Sequence, residues 1–150
     1  CSYDAAGLML QHLYDGLRTP VGAPRGELRR FDQARYVTGG MLTSMADEGF
    51  LFVPQDCAAG KPCRIHVAFH GCRQGGDFVG QAFARDAGYN RWASANRIVV
   101  LYPQVKKSLF WPFNPSGCWD WWDYSGIGYT ARKGLQPASV RRMLDALGAR

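Results

Sequence analysis

The spacing of apolar residues predicts helices and strands that alternate along the chain. Apolar side chains recur at helical spacing in residues 4–17, behind Asp4 as an N-cap, and again in residues 78–95. A last helix is predicted from Pro137, in its first turn, to Leu147. Three short apolar runs have the composition of strands: residues 49–54, 64–71 and 97–104.

The order of these elements predicts an α/β fold. The run at 97–104 is continuously apolar, as is typical of a strand buried on both faces of a parallel sheet. Together with the strand at 64–71 and the helical segment 78–95, it has the pattern of one strand–helix–strand crossover unit. Residues 18–48 are rich in glycine, proline and charged residues and are predicted to be mostly loop, and residues 105–134 are predicted to form a long aromatic loop.

Length and composition restrict the class of protein. The 150 residues suffice for one domain, and 47% hydrophobic with 20% charged residues is ordinary for a folded globular protein. The net charge is +6, but the arginines are spread along the chain, so we expect no nucleic-acid partner. No run of about 18 apolar residues occurs, so we expect no membrane partner. The chain starts at Cys1 without a signal-peptide pattern, and we expect a processed product or a fragment.

Five cysteines are many for so short a chain. They lack the Cys-x-x-Cys spacing of metal sites, so we expect no metal, and instead disulfides formed in an extracellular or periplasmic compartment. Cys57 and Cys63 flank a short loop that a bridge would close, and Cys72 and Cys118 can form a second pair. Cys1 would then be left over, which suggests a partner upstream of this chain.

The strand at 64–71 ends in His70 and Gly71, and Cys72 follows. In serine hydrolases built on an α/β sheet, the loop after an early strand often opens with His-Gly and supplies one backbone donor of the oxyanion hole. Gly71 lets the backbone turn under a substrate, and the Cys72 N–H would be the donor, held rigid by a disulfide to Cys118. The alternative is a tight strand-to-loop turn without catalytic meaning.

The loop after the last strand carries a cluster of large aromatic residues: Trp119, Trp121, Trp122 and Tyr124. Aromatic residues dominate cores as well as interfaces, so we expect about half of these rings to pack beside the disulfide. The remainder would form an apolar wall for an uncharged ligand. The cluster is therefore the candidate substrate-binding site.

Four segments of the chain resemble the extracellular poly(3-hydroxybutyrate) depolymerases, most closely the circularly permuted type: SMADEGFLFVP, CRIHVAFHGCRQG, AGYNRWASANRIVVLYPQ and NPSGCWDWWDY. The opening segments YDAAGLMLQHLYDGL and LRRFDQARY are similar to those that follow the catalytic histidine in that type. The resemblance implies an α/β-hydrolase fold, a Ser-His-Asp triad without a cofactor, and cleavage of ester bonds in a water-insoluble polyester. It places Cys72 at the oxyanion-hole position, and an aromatic residue of the 119–124 stretch at the position of the substrate-facing tryptophan.

The triad itself has no candidate in this chain. No serine lies in a Gly-x-Ser-x-Gly motif, and His12, His66 and His70 fall in a predicted helix, strand and turn. In the permuted type the serine, aspartate and histidine all precede the region that corresponds to Cys1. The resemblance therefore implies that residues 1–150 are the C-terminal part of a single catalytic domain, whose partner is its missing N-terminal half. We expect this chain to be inactive on its own.

Other interpretations stay open. The tryptophan-rich loop would also suit a non-catalytic module that binds a polymer or polysaccharide. Another secreted carboxylesterase, such as a feruloyl esterase, would cleave a different ester. A hydrolase in ordinary chain order would carry its serine beyond Arg150, although the opening segments argue against that order. A Gly-x-Ser-x-Gly motif upstream of Cys1 would favour the depolymerase.

Overall fold

A computed structural model describes residues 3–148 of the chain, with four strands and six α-helices in that part. The strands are β1 (Gly26–Asp32), β2 (Glu48–Pro54), β3 (Arg64–Val67) and β4 (Ile98–Tyr102). The helices are α1 (Ala5–Leu13), α2 (Gln55–Ala58), α3 (Gly76–Val79), α4 (Ala82–Asp86), α5 (Tyr89–Asn96) and α6 (Leu135–Ala146). Within residues 3–148, no helix has the length and apolar character needed to cross a membrane.

The strands form one mixed sheet in the order β1-β2-β4-β3. β3 and β4 are parallel, with Ile65 opposite Val99 and Val67 opposite Leu101, and α3, α4 and α5 lie between them in the chain. The predicted strand–helix–strand unit and the α/β class are therefore confirmed. β2 runs antiparallel to β4, with Leu51 opposite Leu101.

The prediction of a loop over residues 18–48 is wrong at β1. Every side chain of this strand is exposed or only half-buried, and its sequence, GELRRFD, is mostly charged. Charged side chains are typical of strands at the edge of a sheet, where they discourage pairing with other chains. Only Leu28 and Phe31 of this strand are half-buried, so it carries no alternation of apolar and polar residues from which it could be predicted.

The predicted helix over residues 78–95 is divided into the short helices α3, α4 and α5. Gly80 and Gly88 separate them, with positive φ angles of 58° and 95°. Glycine adopts this backbone region without a steric penalty, and a right-handed helix does not continue through it. The helical spacing of apolar residues persists because α4 buries Ala84 and α5 buries Trp92 and Ala93.

The chain divides into two compact units. The first contains the chain up to Arg29 together with residues 50–68 and 81–102. The second contains residues 30–49 and 69–80 together with the chain from Pro103 onward. The candidate catalytic turn and the aromatic loop both belong to the second unit.

The first unit has its hydrophobic core on β4 and its neighbours. The core is made of these buried residues: Phe50, Phe52, Ala68, Ala84, Ala93, Ile98, Val100 and Tyr102. Asp4 is the N-cap of α1, as predicted, because its carboxylate accepts a hydrogen bond from the Gly7 amide at 2.9 Å. The same carboxylate accepts a hydrogen bond from the Trp92 indole at 2.8 Å, which joins α1 to α5.

Candidate functional site

The turn after β3 lies in the second unit and is built around a buried histidine. The Val105 amide donates a hydrogen bond to Nε2 of His70 at 3.2 Å, and Nδ1 of His70 lies 2.8 Å from the Gly71 carbonyl oxygen. A backbone amide can only donate, so Nε2 is the unprotonated nitrogen and Nδ1–H donates to the carbonyl. Burial lowers the pKa of His70, despite the opposing effects of the Gly71 carbonyl and the Asp77 carboxylate. The ring is therefore held neutral in one tautomer.

The backbone amides of residues 71–74 differ in whether they have a hydrogen-bond acceptor. The Gly71 amide donates to Oε1 of Gln74 at 2.9 Å, and the Gln74 amide donates to the Gly71 carbonyl at 3.1 Å. The Arg73 amide donates to the Ser116 carbonyl at 2.8 Å. For the Cys72 amide, no hydrogen-bond acceptor is found among residues 3–148, and Cys72 is exposed. A free donor in an ordered, exposed turn is available to a ligand.

Close packing gives this turn a defined shape. Arg73 has a positive φ of 61°, a conformation that a residue with a side chain rarely adopts and that is often found at functional sites. A Cβ atom on Gly75 would lie 2.8 Å from the Val105 carbonyl oxygen and 3.0 Å from Cε1 of His70. Glycine at position 75 therefore allows the histidine ring to sit directly against the backbone.

Both predicted disulfides are present. Cys57 pairs with Cys63 in the first unit, across a sequence separation of 6 residues. Cys72 pairs with Cys118 in the second unit, across 46 residues, with their Cα atoms 4.3 Å apart. The second bridge joins the turn to the aromatic loop. Cys1 lies outside the described residues, so its expected partner upstream stays a prediction.

The carboxylate of Asp120 organises the aromatic loop, where the described chain has neither helix nor strand. Its two oxygens accept hydrogen bonds from the backbone amides of Trp122, Tyr124 and Ser125, at 3.2, 3.1 and 2.8 Å. The Ser125 hydroxyl donates to the same carboxylate at 2.6 Å. One acidic side chain thus replaces the backbone pairing that a helix or strand would provide.

Tyr124 lies underneath this loop. Its side chain is buried, and its hydroxyl donates to the Cys118 carbonyl at 2.8 Å and accepts from Nε2 of Gln136 at 2.7 Å. Burial raises the pKa of Tyr124 to about 12, so the hydroxyl is neutral at physiological pH. Oε1 of Gln136 also accepts a hydrogen bond from the Asp120 amide at 2.9 Å. Tyr124 and Gln136 together tie the aromatic loop to α6.

The tryptophans of the loop are more accessible to solvent than Tyr124. Trp121 is 69% exposed and Trp122 is 39% exposed, and their ring centroids are 5.2 Å apart. Trp119 is half-buried, with its ring edge-on to Phe69 at 4.9 Å and tilted against His70 at 5.8 Å. Of the predicted aromatic residues, the structure therefore places Trp119 against the predicted turn, within the second unit.

An apolar groove of about 600 Å³ opens beside Trp119. Phe69 and Trp119 line it together with apolar side chains of α6, and its polar lining comes from a few groups, among them Asp120 and Arg141. A groove of this size and character suits an uncharged, largely apolar ligand with a few polar atoms.

The described residues do not assemble a complete hydrolytic site. His12 is exposed on α1, and Nδ1 of His66 is hydrogen-bonded to the Tyr14 hydroxyl at 3.1 Å. His70 is the buried histidine of the turn, and the Ser125 hydroxyl donates to the Asp120 carboxylate rather than to a histidine. Over residues 3–148, no cluster of three or more metal-binding side chains occurs. Within residues 3–148 the structure therefore provides a backbone amide without an acceptor and an apolar groove, without a recognisable serine–histidine pair.

Reasoning from the sequence missed the residues that support the site. Gln74 and Asp120 act within turns, two to five residues from their partners, and a polar side chain in a turn is the signal that could have found them. Gln136 joins parts of the chain far apart in sequence, because its Nε2 also donates to the Thr43 carbonyl at 2.7 Å. No local pattern predicts such a bond.

Comparison with curated proteins finds two relatives that are similar over nearly the whole chain. A poly(3-hydroxybutyrate) depolymerase of Delftia acidovorans is 40% identical over 99% of this chain and 29% of the relative. A polyhydroxybutyrate depolymerase of Talaromyces funiculosus is 37% identical over 93% of this chain and 43% of the relative. The chain therefore spans less than half the length of these relatives. No protein-family model matches it.

Solved structures give the same result for the fold. The crystal structure of a PHB depolymerase from Penicillium funiculosum is 35% identical, with a TM-score of 0.88 over 96% of this chain and 48% of its own. A PHB depolymerase complexed with an R3HB trimer is 33% identical, also with a TM-score of 0.88, over 99% of this chain and 49% of its own. The mixed sheet and its helices are thus a partial α/β-hydrolase-like fold.

Proposed function

We propose that the chain belongs to the poly(3-hydroxybutyrate) depolymerase family and is part of an enzyme that cleaves ester bonds in poly(3-hydroxybutyrate) or a related polyhydroxyalkanoate. Residues 1–150 are the C-terminal part of a single α/β-hydrolase catalytic domain. The identity of 37–40% with curated depolymerases over nearly the whole chain supports this assignment. The serine, histidine and aspartate of the triad lie in the part of the domain that precedes Cys1.

The Cys72 amide donates a hydrogen bond to the oxyanion that forms when the serine attacks the ester carbonyl. The observation that carries this role is that, of the amides of residues 71–74, only that of Cys72 has no acceptor among residues 3–148. A donor already oriented in an ordered turn needs no rearrangement during the reaction, which is the source of its catalytic effect. The bridge to Cys118 restrains the turn that presents this donor.

The aromatic loop and the groove bind the alkyl part of the polyester. Trp119, Trp121 and Trp122 present their rings to the substrate, and Tyr124 supports them from below through its buried hydroxyl. A polyhydroxyalkanoate is uncharged and largely apolar, which matches the mostly apolar lining of the groove. The similar depolymerase that is complexed with an R3HB trimer supports a polyester ligand of this kind.

The two disulfides support an oxidising location for the protein. We place it outside the cell or in the periplasm, where an insoluble polymer would be encountered. Expression in an oxidising compartment should give an active full-length protein, and expression in a reducing cytosol should give a less stable one.

Replacing one backbone amide by an ester tests the oxyanion role directly. In the full-length protein, lactic acid is introduced at position 72 in a Cys118→Ala background, and Cys72→Ala with Cys118→Ala is the matched control. The two proteins differ in the N–H of residue 72, which the ester lacks, and in the Gly71 carbonyl, which as an ester carbonyl is a weaker acceptor for its two hydrogen bonds. Loss of one oxyanion donor lowers kcat by roughly 10²- to 10³-fold. We expect a fall of this size on a soluble 3-hydroxybutyrate oligomer, with KM changed little. Equal kcat values in the two proteins would show that this amide does not contact the oxyanion.

A serine-directed inhibitor separates the enzyme from a non-catalytic polymer-binding module. We expect such an inhibitor to abolish hydrolysis by the full-length protein and to label a serine outside residues 1–150. The chain of 150 residues alone should hydrolyse no p-nitrophenyl ester. Adsorption of the full-length protein to polyester, with neither hydrolysis nor labelling, would favour the binding module.

A further inference from the structure

We propose that His70 is the positioning residue that directs the Cys72 amide towards the substrate. This inference rests on the proposed function, because the amide has a catalytic role only in an ester hydrolase. His70 itself does not touch the reacting atoms. It acts through the single peptide group between Gly71 and Cys72.

The planarity of that peptide carries the inference. In a trans peptide the carbonyl oxygen and the following N–H point in opposite directions. The Gly71 carbonyl accepts hydrogen bonds from Nδ1–H of the buried His70, at 2.8 Å, and from the Gln74 amide, at 3.1 Å. The carbonyl is thereby held towards the buried ring. The Cys72 N–H must point the other way, towards the exposed side of the turn.

The tautomer of His70 determines that its Nδ1–H donates the hydrogen bond to the Gly71 carbonyl. The Val105 amide occupies Nε2 at 3.2 Å, which leaves the ring proton on Nδ1, the nitrogen that faces the Gly71 carbonyl. In the other tautomer, Nε2–H would face the Val105 N–H, and Nδ1 would face the carbonyl without a proton. Both contacts would then be repulsive, so the two hydrogen bonds select the same tautomer.

The packing around the ring restricts its orientation. Cε1 of His70 would lie 3.0 Å from a Cβ at position 75, so the ring sits directly against the Gly75 backbone. The Trp119 ring lies 5.8 Å from the His70 ring. His70 thus couples the orientation of the oxyanion donor to the position of a tryptophan in the proposed substrate wall.

Two substitutions separate positioning from packing, because each keeps one of the two hydrogen bonds. In His70→Asn, the side-chain amide nitrogen reaches the position of Nδ1 and still donates to the Gly71 carbonyl. In His70→Gln, the side-chain oxygen reaches the position of Nε2 and still accepts from Val105, but the donor to Gly71 is lost. Both variants disturb the packing, so both should lower Tm.

Steady-state kinetics of the full-length variants on a soluble 3-hydroxybutyrate oligomer give the first readout. Misplacing a catalytic group by about 1 Å can cost roughly 10²-fold in rate. We therefore expect kcat of His70→Gln to fall roughly 10- to 100-fold with KM nearly unchanged, and His70→Asn to recover most of that loss. An unchanged kcat in His70→Gln, or equal losses in the two variants, would overturn the positioning role.

A second readout does not depend on activity. Labelling glycine carbonyl carbons with ¹³C and cysteine nitrogens with ¹⁵N selects Gly–Cys peptides, and this chain has two of them, 71–72 and 117–118. We expect His70→Gln to shift the Gly71 carbonyl resonance and His70→Asn to leave it close to the wild-type value. The pair at 117–118 is the internal control, since the Cys118 amide donates to the Asn114 side chain at 2.9 Å.

The two readouts distinguish the failure of this inference from that of the proposed function. A wild-type protein without ester hydrolysis, but with the expected carbonyl shift in His70→Gln, would overturn the proposed function while the histidine contact stands. An active wild-type protein whose Gly71 carbonyl resonance is the same in both variants would overturn the inference alone.

Discussion

Removal of the Cys72–Cys118 disulfide should destabilise the protein and lower its catalytic rate, whereas removal of Cys57–Cys63 should affect stability alone. The perturbations are the double variants Cys72→Ala with Cys118→Ala and Cys57→Ala with Cys63→Ala. Both pairs are present as bridges, and each lies within one unit of the chain. The second variant is therefore a matched control for the loss of a disulfide as such.

The magnitudes follow from the loop that each bridge closes. Restricting the unfolded chain stabilises the folded one by an amount that grows with the logarithm of loop length. For the separation of 46 residues between Cys72 and Cys118, the loss of the bridge should cost roughly 4 kcal/mol. For the separation of 6 residues between Cys57 and Cys63, it should cost roughly 2 kcal/mol.

The catalytic effect has a separate cause. The Cys72–Cys118 bridge restrains the turn that carries the proposed oxyanion donor, together with the base of the aromatic loop. Without it, the hydrogen bonds of Gly71 and Arg73 remain, so the turn should be loosened rather than lost. We expect kcat to fall roughly tenfold in this variant, a loss of about 1.4 kcal/mol in transition-state stabilisation.

Stability is measured by urea denaturation of the full-length proteins without reductant. Initial rates on a soluble ester are measured separately, without urea and at a temperature well below the unfolding transition. Equal losses of stability in the two variants would contradict the loop-length argument. A tenfold loss of kcat in both variants, or in neither, would contradict the assignment of the turn to the catalytic site.

Three further outcomes are expected. The free energy of unfolding should fall as pH drops below about 6.5. Burial lowers the pKa values of His66 and His70, so below that pH these histidines take up protons in the unfolded chain while they stay neutral in the folded one. Their contribution to stability is therefore complete above about pH 6.5 and is lost as the pH falls towards the lowered pKa values. Urea denaturation between pH 7 and 5 checks this, and stability that is flat or rising towards pH 5 would contradict it. Trp121→Ala should raise KM for a 3-hydroxybutyrate oligomer roughly fivefold, the equivalent of about 1 kcal/mol, with little change in Tm, because the ring is exposed. Tyr124→Phe should instead cost about 1–3 kcal/mol in unfolding free energy, since it removes two buried hydrogen bonds and leaves one N–H of the Gln136 amide without its acceptor; the opposite pattern in these two variants would reverse the roles given to the rings.

Strong local patterns explain which elements could be predicted. The apolar run at 97–104 contains β4, and the N-cap role of Asp4 follows from its position one residue before α1. By contrast, β1 carries charged, exposed side chains and gives no periodic signal. The division of the predicted helix at 78–95 depends on the backbone conformation at Gly80 and Gly88, which the spacing of apolar residues does not reveal.

The amino-acid sequence by itself determined the α/β class, the Cys57–Cys63 pair, and the turn and aromatic loop as candidate sites, because each depends on residue type and short-range spacing. The Cys72–Cys118 pair, 46 residues apart, followed as the second possible pair among the remaining cysteines. Only the tertiary structure decided the direction of the Cys72 amide, the tautomer of His70 and the burial of Tyr124. These depend on hydrogen bonds with Val105 and Gln136, 35 and 12 residues away along the chain. Such partners come together only in the folded chain, so local sequence patterns cannot predict these hydrogen bonds.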